Sequence, residues 1–202
     1  MSTNPTTFLR SENTRLQDEN KQLNEELRNL RDFVRMLERL TTITSRVKGD
    51  DEIMPALDTI LQMALNLLNA PDGSLALMDD EAYELVFVLA HGDLGDDLVG
   101  HRFPAGQGIA GWVVENKEVA LVRDVRRDPR FYSGVDDQFK FRTQSIAAAP
   151  LIGDGRVLGV IEVLNQPGDT PFTRSTVSLL KLLCHFAGEA LANIERKRLQ
   201  EG

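Results

Sequence analysis

The chain has 202 residues, 42% of them hydrophobic, and a formal net charge of −8. That is enough apolar material for one sizeable core with an appendage, and an acidic chain with no basic block argues against a nucleic-acid partner, whose phosphates need clustered Lys and Arg. No apolar run approaches the length of a membrane span; "MSTNPTTFLR" lacks a secretory layout; the lone Cys184 excludes an internal disulfide and reads as a small buried hydrophobe, so the expected compartment is the cytoplasm.

Residues 1–8 read as a disordered tail and residues 9–48 as one long helix. Leu9, Leu16, Leu23, Leu30 and Leu37 recur every seventh residue. With these at heptad position d, position a holds Asn13, Asn20, Leu27, Val34 and Thr41. A sustained seven-residue repeat winds two helices together left-handedly. An asparagine at a can hydrogen-bond its counterpart in a parallel, in-register pair, so the pattern predicts a parallel homodimer. Glu26 and Arg31 can pair across the two chains. The rival reading, a single amphipathic helix folded back onto the globular part, calls for a wider apolar face than the early heptads show.

"GDDEI" breaks this helix, and residues 52–198 form the globular domain, with 199–202 a tail. "IMPALDTILQMALNLLNA" is helical, with apolar residues at three- and four-residue steps. "SLALMD" and "ELVFVLAHG" read as neighbouring antiparallel strands. "GHRFPAGQGIAGWVVENKE" reads as strand, glycine-rich turn and short helix, and "VALVRDV" as a further strand. A mixed segment follows, "RFYSGVDDQFKFRT", rich in both aromatics and acids. Two strands, "QSIAAAPLI" and "RVLGVIEVLNQ", are joined by the Gly153-Asp154-Gly155 turn. "PFTRSTVSLLKLLCHFAGEALANIERKRL" closes the chain as a helix. Hairpin-length links predict an α+β domain with an antiparallel sheet.

Catalytic chemistry is mostly excluded. "GQGIAG" lacks the lysine and spacing of a P-loop. His91, His101 and His185 have no regular metal-ligand spacing, and one cysteine cannot build a thiolate zinc site. No serine occupies a nucleophile elbow. A binding domain with no cofactor fits better than an enzyme.

The stretches "GIAGWV", "DPRF", "FRTQSI", "LGVIEVLN" and "FAGEALANIE", in this order and spacing, resemble GAF domains, most nearly those of cyclic-nucleotide phosphodiesterases and related adenylyl cyclases. The resemblance covers roughly residues 52 to 196. It implies a six-stranded antiparallel sheet, backed on one face by the first and last helices of the domain. Over the other face, a short helix and a lid enclose a small-molecule pocket. "RFYSGVDDQFKFRT" would be the lid. The resemblance also implies ligand contacts: Ser74 to a base, the backbone of Ile109 and Ala110 to a cyclic phosphate, Tyr132, Asp136 and Thr143 from the lid, and Glu162 on the pocket floor. Ala90 stands where nucleotide binders often place a stacking aromatic, and His91, which follows in place of an acid, is a further expected ligand contact. Of the family's Asn-Lys-Phe-Asp-Glu signature, Asn165 and Phe172 are retained, whereas Gln166, Thr176 and Val177 replace the rest.

Three functions follow as expectations. The first is a homodimeric sensor that binds a small molecule, a cyclic nucleotide among the candidates, and signals to a protein partner in trans. Its lid closure would move the long helices, with the closing helix contributing an apolar stripe at Val177, Leu180, Leu183, Ala187, Leu191 and Ile194. The alternative is an adaptor with a degenerate pocket that serves dimerisation and protein contacts. Enzymatic GAF-like reductases need several cysteines, which Cys184 cannot supply. Neither nucleic acid nor a membrane is an expected partner.

Overall fold

The computed structural model describes residues 5–46, 50–168 and 174–201. The chain divides into two units, with the boundary between Thr42 and Ile43.

The first unit is carried by helix α1 (Pro5–Arg46), 42 residues long. It starts inside the stretch expected as a tail. Charged side chains brace its surface at one-turn spacing: Arg15 reaches Glu12 at 2.6 Å and Glu19 at 3.4 Å. Leu9, Leu16, Leu23, Leu27 and Val34 are 46–65% exposed, so the heptad stripe is unburied within the single chain. Asn13 and Asn20 are exposed beside it, and Asn24 donates from Nδ2 to Asn20 Oδ1 at 2.9 Å. The side chains of Leu30 and Leu37 lie outside those described.

Helix α2 (Asp50–Leu68) is the first helix lying wholly in the second unit. Asp50, Asp51 and Glu52, expected in a break, are its first residues. Ile53, Ala56, Leu57, Ile60, Leu61, Ala64 and Leu68 recur at three- and four-residue steps and are all buried. Asn69 ends the helix in the left-handed region at φ +48°, and the Ala70 amide closes back onto the Leu65 carbonyl at 3.0 Å.

Six strands follow: β1 (Asp72–Asp79), β2 (Glu84–His91), β3 (Arg102–Pro104), β4 (Ala120–Val122), β5 (Ile146–Gly153) and β6 (Arg156–Leu164). They form one antiparallel sheet in the order β3-β2-β1-β6-β5-β4. Two 3-10 turns, Gly92–Leu94 and Asp96–Leu98, link β2 to β3. Helix α3 (Gly108–Asn116) links β3 to β4, and helix α4 (Gly134–Phe139) lies in the mixed segment. The β5–β6 hairpin turns on Asp154 and Gly155, both at positive φ as a tight two-residue turn demands. Helix α5 (Arg174–Glu201) closes the chain, so residues 199–201 are helical rather than a tail. Phe172 lies outside the described residues.

The sheet separates two cores. On one face α2 and α5 pack on the sheet and on each other. Leu75, Ile161, Ala147, Ala149 and Leu151 come from the strands, and Leu57, Leu61, Leu180, Leu183 and Ala187 from the helices; all are buried. Four of the six residues of the expected α5 stripe, Leu180, Leu183, Ala187 and Ile194, are buried inside the domain, and Val177 and Leu191 are half-buried. This same helix, over Val177–Gln200, is the one described segment long and apolar enough to cross a membrane by length and composition, contrary to the expectation of none; its apolar residues cover the sheet. The other face carries a second core, built from Phe87, Phe103, Ile109, Val113, Val125 and Ile146 among others.

Backbone contact sets how closely α5 approaches the sheet. A Cβ on Gly188 would lie 2.2 Å from the Ile152 carbonyl oxygen, and one on Gly153 would lie 2.3 Å from the Gly188 carbonyl oxygen. Gly188→Ala is therefore expected to destabilise the domain by about 2–3 kcal/mol, the magnitude of core overpacking. Urea unfolding measures this, and a change below about 0.5 kcal/mol, the level of a neutral surface substitution, would show that the helix has room to retreat.

Candidate functional site

The site lies on the sheet face opposite α2 and α5. Ser74 of β1 and Glu162 of β6 are directly paired in register, so both project to the same side. Ser74 Oγ donates to Glu162 Oε2 at 3.2 Å. Glu162 Oε1 has no partner among the described residues. Apolar side chains surround this polar pair. Phe87 and Phe103 stack with ring centroids 5.0 Å apart, and Leu98, Ile146 and Leu164 complete the walls. The start of α3 and the segment 131–143 form the roof. The cavity, partly open to solvent, measures about 70 Å³.

Surrounding protein strips water from the Glu162 carboxyl and raises its pKa from 4.5 to about 7, with the Ser74 hydrogen bond acting weakly the other way. No described residue lining the cavity carries a basic side chain. The charged form is thus uncompensated, and near neutral pH the group is divided between acid and carboxylate.

Helix α3 enters the roof through Gly108, which takes φ +74°. Its first internal bond runs from the Gly111 amide to the Gln107 carbonyl at 3.0 Å. The amides of Gly108, Ile109 and Ala110 precede that bond and have no partner in their own helix. These three residues line the cavity. Gly111 itself permits the turn: a Cβ there would lie 2.3 Å from the Gly106 carbonyl carbon.

The lid is tied by its own acid. Asp136 is only 6% exposed. Its Oδ1 accepts from Thr143 Oγ1 at 2.6 Å and its Oδ2 from the Thr143 amide at 3.0 Å. Arg126 Nη2 lies 3.5 Å from Oδ2, with its guanidinium 5.5 Å from the Phe131 ring centre. Asp136 is therefore a clamp that joins the lid's short helix to its C-terminal end, neither a solvated turn residue nor a helix cap. Arg130 anchors the lid's outer edge, 4.4 Å above the Trp112 ring and paired to Asp128 at 2.7 Å. Tyr132 stands half-exposed at the mouth. Gly134 passes so close to it that a Cβ would meet the ring at 2.3 Å.

Of the residues expected around a ligand, Ser74, Ile109, Ala110, Tyr132, Asp136, Thr143 and Glu162 line this one cavity. His91 does not, and its expectation is corrected. Between Leu75 and Ala76 the β1–β2 register shifts, leaving Val88 as an extra residue. Simple alternation would put His91 on the Phe87 face. The bulge reverses the parity, so Ala90 pairs with Ser74 while His91 pairs with Gly73 and faces α2. There His91 Nε2 meets Asp58 Oδ1 at 2.7 Å.

Sequence reasoning also missed Asn165. Its Oδ1 accepts from the Gln144 amide at 2.8 Å, and its Nδ2 donates to Asp72 at 3.2 Å and to the Arg142 carbonyl at 3.1 Å. It holds the lid's C-terminal end against the ends of β1 and β6. Its retention from the family signature was the available signal. Cys184 lies on the far side in α5, where burial pushes its thiol up strongly. Among the described residues no cluster of His, Cys, Asp and Glu is placed to hold a metal ion.

A family model described as the GAF domain matches residues 53–191. The chain is 28% identical over 141 residues to a probable 3',5'-cyclic phosphodiesterase, pde-5, of Caenorhabditis elegans, a match covering 65% of this chain and 19% of that protein. It is 31% identical over 108 residues to the cone cGMP-specific 3',5'-cyclic phosphodiesterase subunit alpha' of Bos taurus, covering 48% of this chain and 12% of that one. The chain thus spans less than a fifth of the length of these relatives. Among solved structures, the GAF domain of a phosphoenolpyruvate-protein phosphotransferase from Coxiella burnetii superposes with a TM-score of 0.69 at 22% identity, covering 81% of this chain and 96% of that one. Free methionine-R-sulfoxide reductase from Neisseria meningitidis, in complex with its substrate, superposes with a TM-score of 0.62 at 21% identity, covering 79% and 89%. At these identities the structural likeness speaks for the fold alone.

The buried Glu162 carboxyl has a consequence for stability. Its folded pKa lies above its unfolded one, so the folded state holds the proton more tightly and loses stability as pH rises from 4.5 towards 7. Glu162→Gln should therefore stabilise the empty protein at pH 8 by up to about 3 kcal/mol, and by almost nothing near pH 4.5. Chemical denaturation at the two pH values checks it; an equal effect at both would show that the carboxyl is not desolvated.

Proposed function

The chain belongs to the GAF family, whose members are generally small-molecule-binding regulatory domains, and from that premise we propose that it is a non-catalytic sensor that binds a small molecule in the cavity over β1 and β6. The observation that carries this reading is the cavity itself. A domain retained only for dimerisation has no need of a 70 Å³ void, since interiors close up wherever side chains can fill them. Its floor holds a carboxyl oxygen without a partner, and its roof holds unpaired amides. Both are waiting polar groups in an apolar setting, the usual make-up of a ligand site.

The sensor works as a parallel homodimer through α1. Leucines and a valine exposed at heptad spacing along an otherwise polar helix are the support, because a second copy of the helix buries such a stripe. Asn13 and Asn20 in the same stripe favour an in-register partner. The signal passes to a protein partner, and the protein acts in the cytoplasm, where a lone thiol stays reduced. The names of the relatives bring cyclic nucleotides forward as ligands to test. The adaptor reading gains only from Ala90, which offers no stacking face beside Ser74.

Two measurements test this. Native mass spectrometry of gently purified full chain should show two subunits, and Leu16→Glu with Leu23→Glu should convert it to a monomer; a monomeric parent protein removes the dimer. A melting screen of nucleotides and metabolites should raise the transition temperature by mass action for at least one class. No shift from any compound, together with no retained small molecule, leaves the adaptor reading in its place.

A further inference from the structure

The cavity has two polar ends of opposite character. At the floor, Glu162 offers Oε1 to any donor, while Ser74 already occupies Oε2. At the roof, the amides of Gly108, Ile109 and Ala110 lie ahead of the first bond of α3 and offer donors to any anion. Glu162 and the start of α3 line the same cavity, so one small molecule in it faces both ends. Between the ends the walls are apolar and rich in rings: Phe87, Phe103, Phe131, Tyr132 and Phe141. From these features we infer that the ligand is a zwitterion, an apolar α-amino acid whose ammonium group meets Glu162 and whose carboxylate meets the start of α3.

Simpler ligands leave one end unmatched. An anion alone would put a second negative charge into a space with no basic lining side chain, and Glu162 would have to stay protonated. A cation alone would leave the three roof amides without an acceptor. Asp136 also lines the cavity, but both of its oxygens already accept from Thr143. Aromatic faces near Glu162 favour an ammonium group further.

The proton balance of the site follows from its surroundings. β1 brings Ser74, with Asp72 beyond it held by the Asp93 amide and Asn165. β5 brings Ala148 and apolar neighbours. α3 brings Ile109, Ala110 and Val113, with Glu115 exposed. The lid brings Asp136 and Tyr132, with Arg126 behind Asp136. Across the sheet lie α2 and α5, with the Asp58–His91 pair and the buried Cys184. Glu162 alone on the floor titrates near neutrality. An ammonium partner favours its carboxylate, so affinity is full above about pH 7 and falls as the carboxyl takes up a proton below it.

The inference rests on the reading that the cavity takes a small molecule, and its test separates the two. Titration calorimetry on the full chain would use L-leucine, L-methionine and L-phenylalanine, each beside its desamino and decarboxy counterparts, with cyclic AMP and cyclic GMP as comparators. At least one amino acid should bind, and removing either its amino or its carboxylate group should weaken it tenfold or more. Binding should be roughly tenfold weaker at pH 6 than at pH 8, and Glu162→Gln should flatten that dependence while melting cooperatively. Binding indifferent to loss of either end, or affinity that rises as pH falls, overturns the zwitterion. So does binding of a cyclic nucleotide with none of the amino acids, which leaves the sensor reading intact. Binding by no probe, with no stabiliser in the melting screen, removes both.

Discussion

The antiparallel pairing of β1 with β6 is the constraint on which the domain depends. These are the central strands, and their register decides what each sheet face presents. Leu75 and Ile161, directly paired, point to α2 and α5. One residue along, Ser74 and Glu162 point to the cavity. A slip of one residue would exchange the two sets, placing a carboxyl under the helices and leucine and isoleucine on the floor. Both faces are covered by different elements, so the apolar pattern specifies this register strongly.

The lid illustrates how a cover can be held without being packed solid. The short helix α4 does not anchor itself by burial alone. Asp136 ties its start to Thr143, and Asn165 ties Arg142 and Gln144 to the ends of β1 and β6. The first tie is local, seven residues apart, and the second joins segments 21 to 23 residues apart. The Asn165 backbone, at φ +56°, turns in the same place, and its amide donates to the Ser145 carbonyl at 3.0 Å.

Burying Glu162 works against stability, as the upward displacement of its pKa records. Such a group persists in an interior where a ligand or a conformational demand uses it. Helix α1 raises the same issue on a larger scale, because a stripe of exposed leucines brings no benefit to one chain alone. In both places the single chain leaves groups that its own fold does not match.

The order of helices and strands was legible from periodicity and turn chemistry. Apolar steps of three and four marked α2 and α5, and Gly153-Asp154-Gly155 marked a hairpin. The cavity residues were legible only through the family resemblance, because Ser74, Thr143 and Glu162 come from separate stretches that no local pattern connects. His91 was misplaced for a local reason with a non-local origin: the bulge at Val88 appears only when β2 is laid against β1, and it reverses which side chains face inward. The amphipathic stripe of α5 was visible, but a stripe does not name its partner, and the sheet rather than a second helix took it up. Residue order thus determined the elements, the heptad stripe and the two-faced alternation, because those depend on neighbours along the chain. Tertiary contact alone decided strand register, the meeting of Ser74 with Glu162 and the displaced acidity of Glu162, because each depends on groups brought together across the fold.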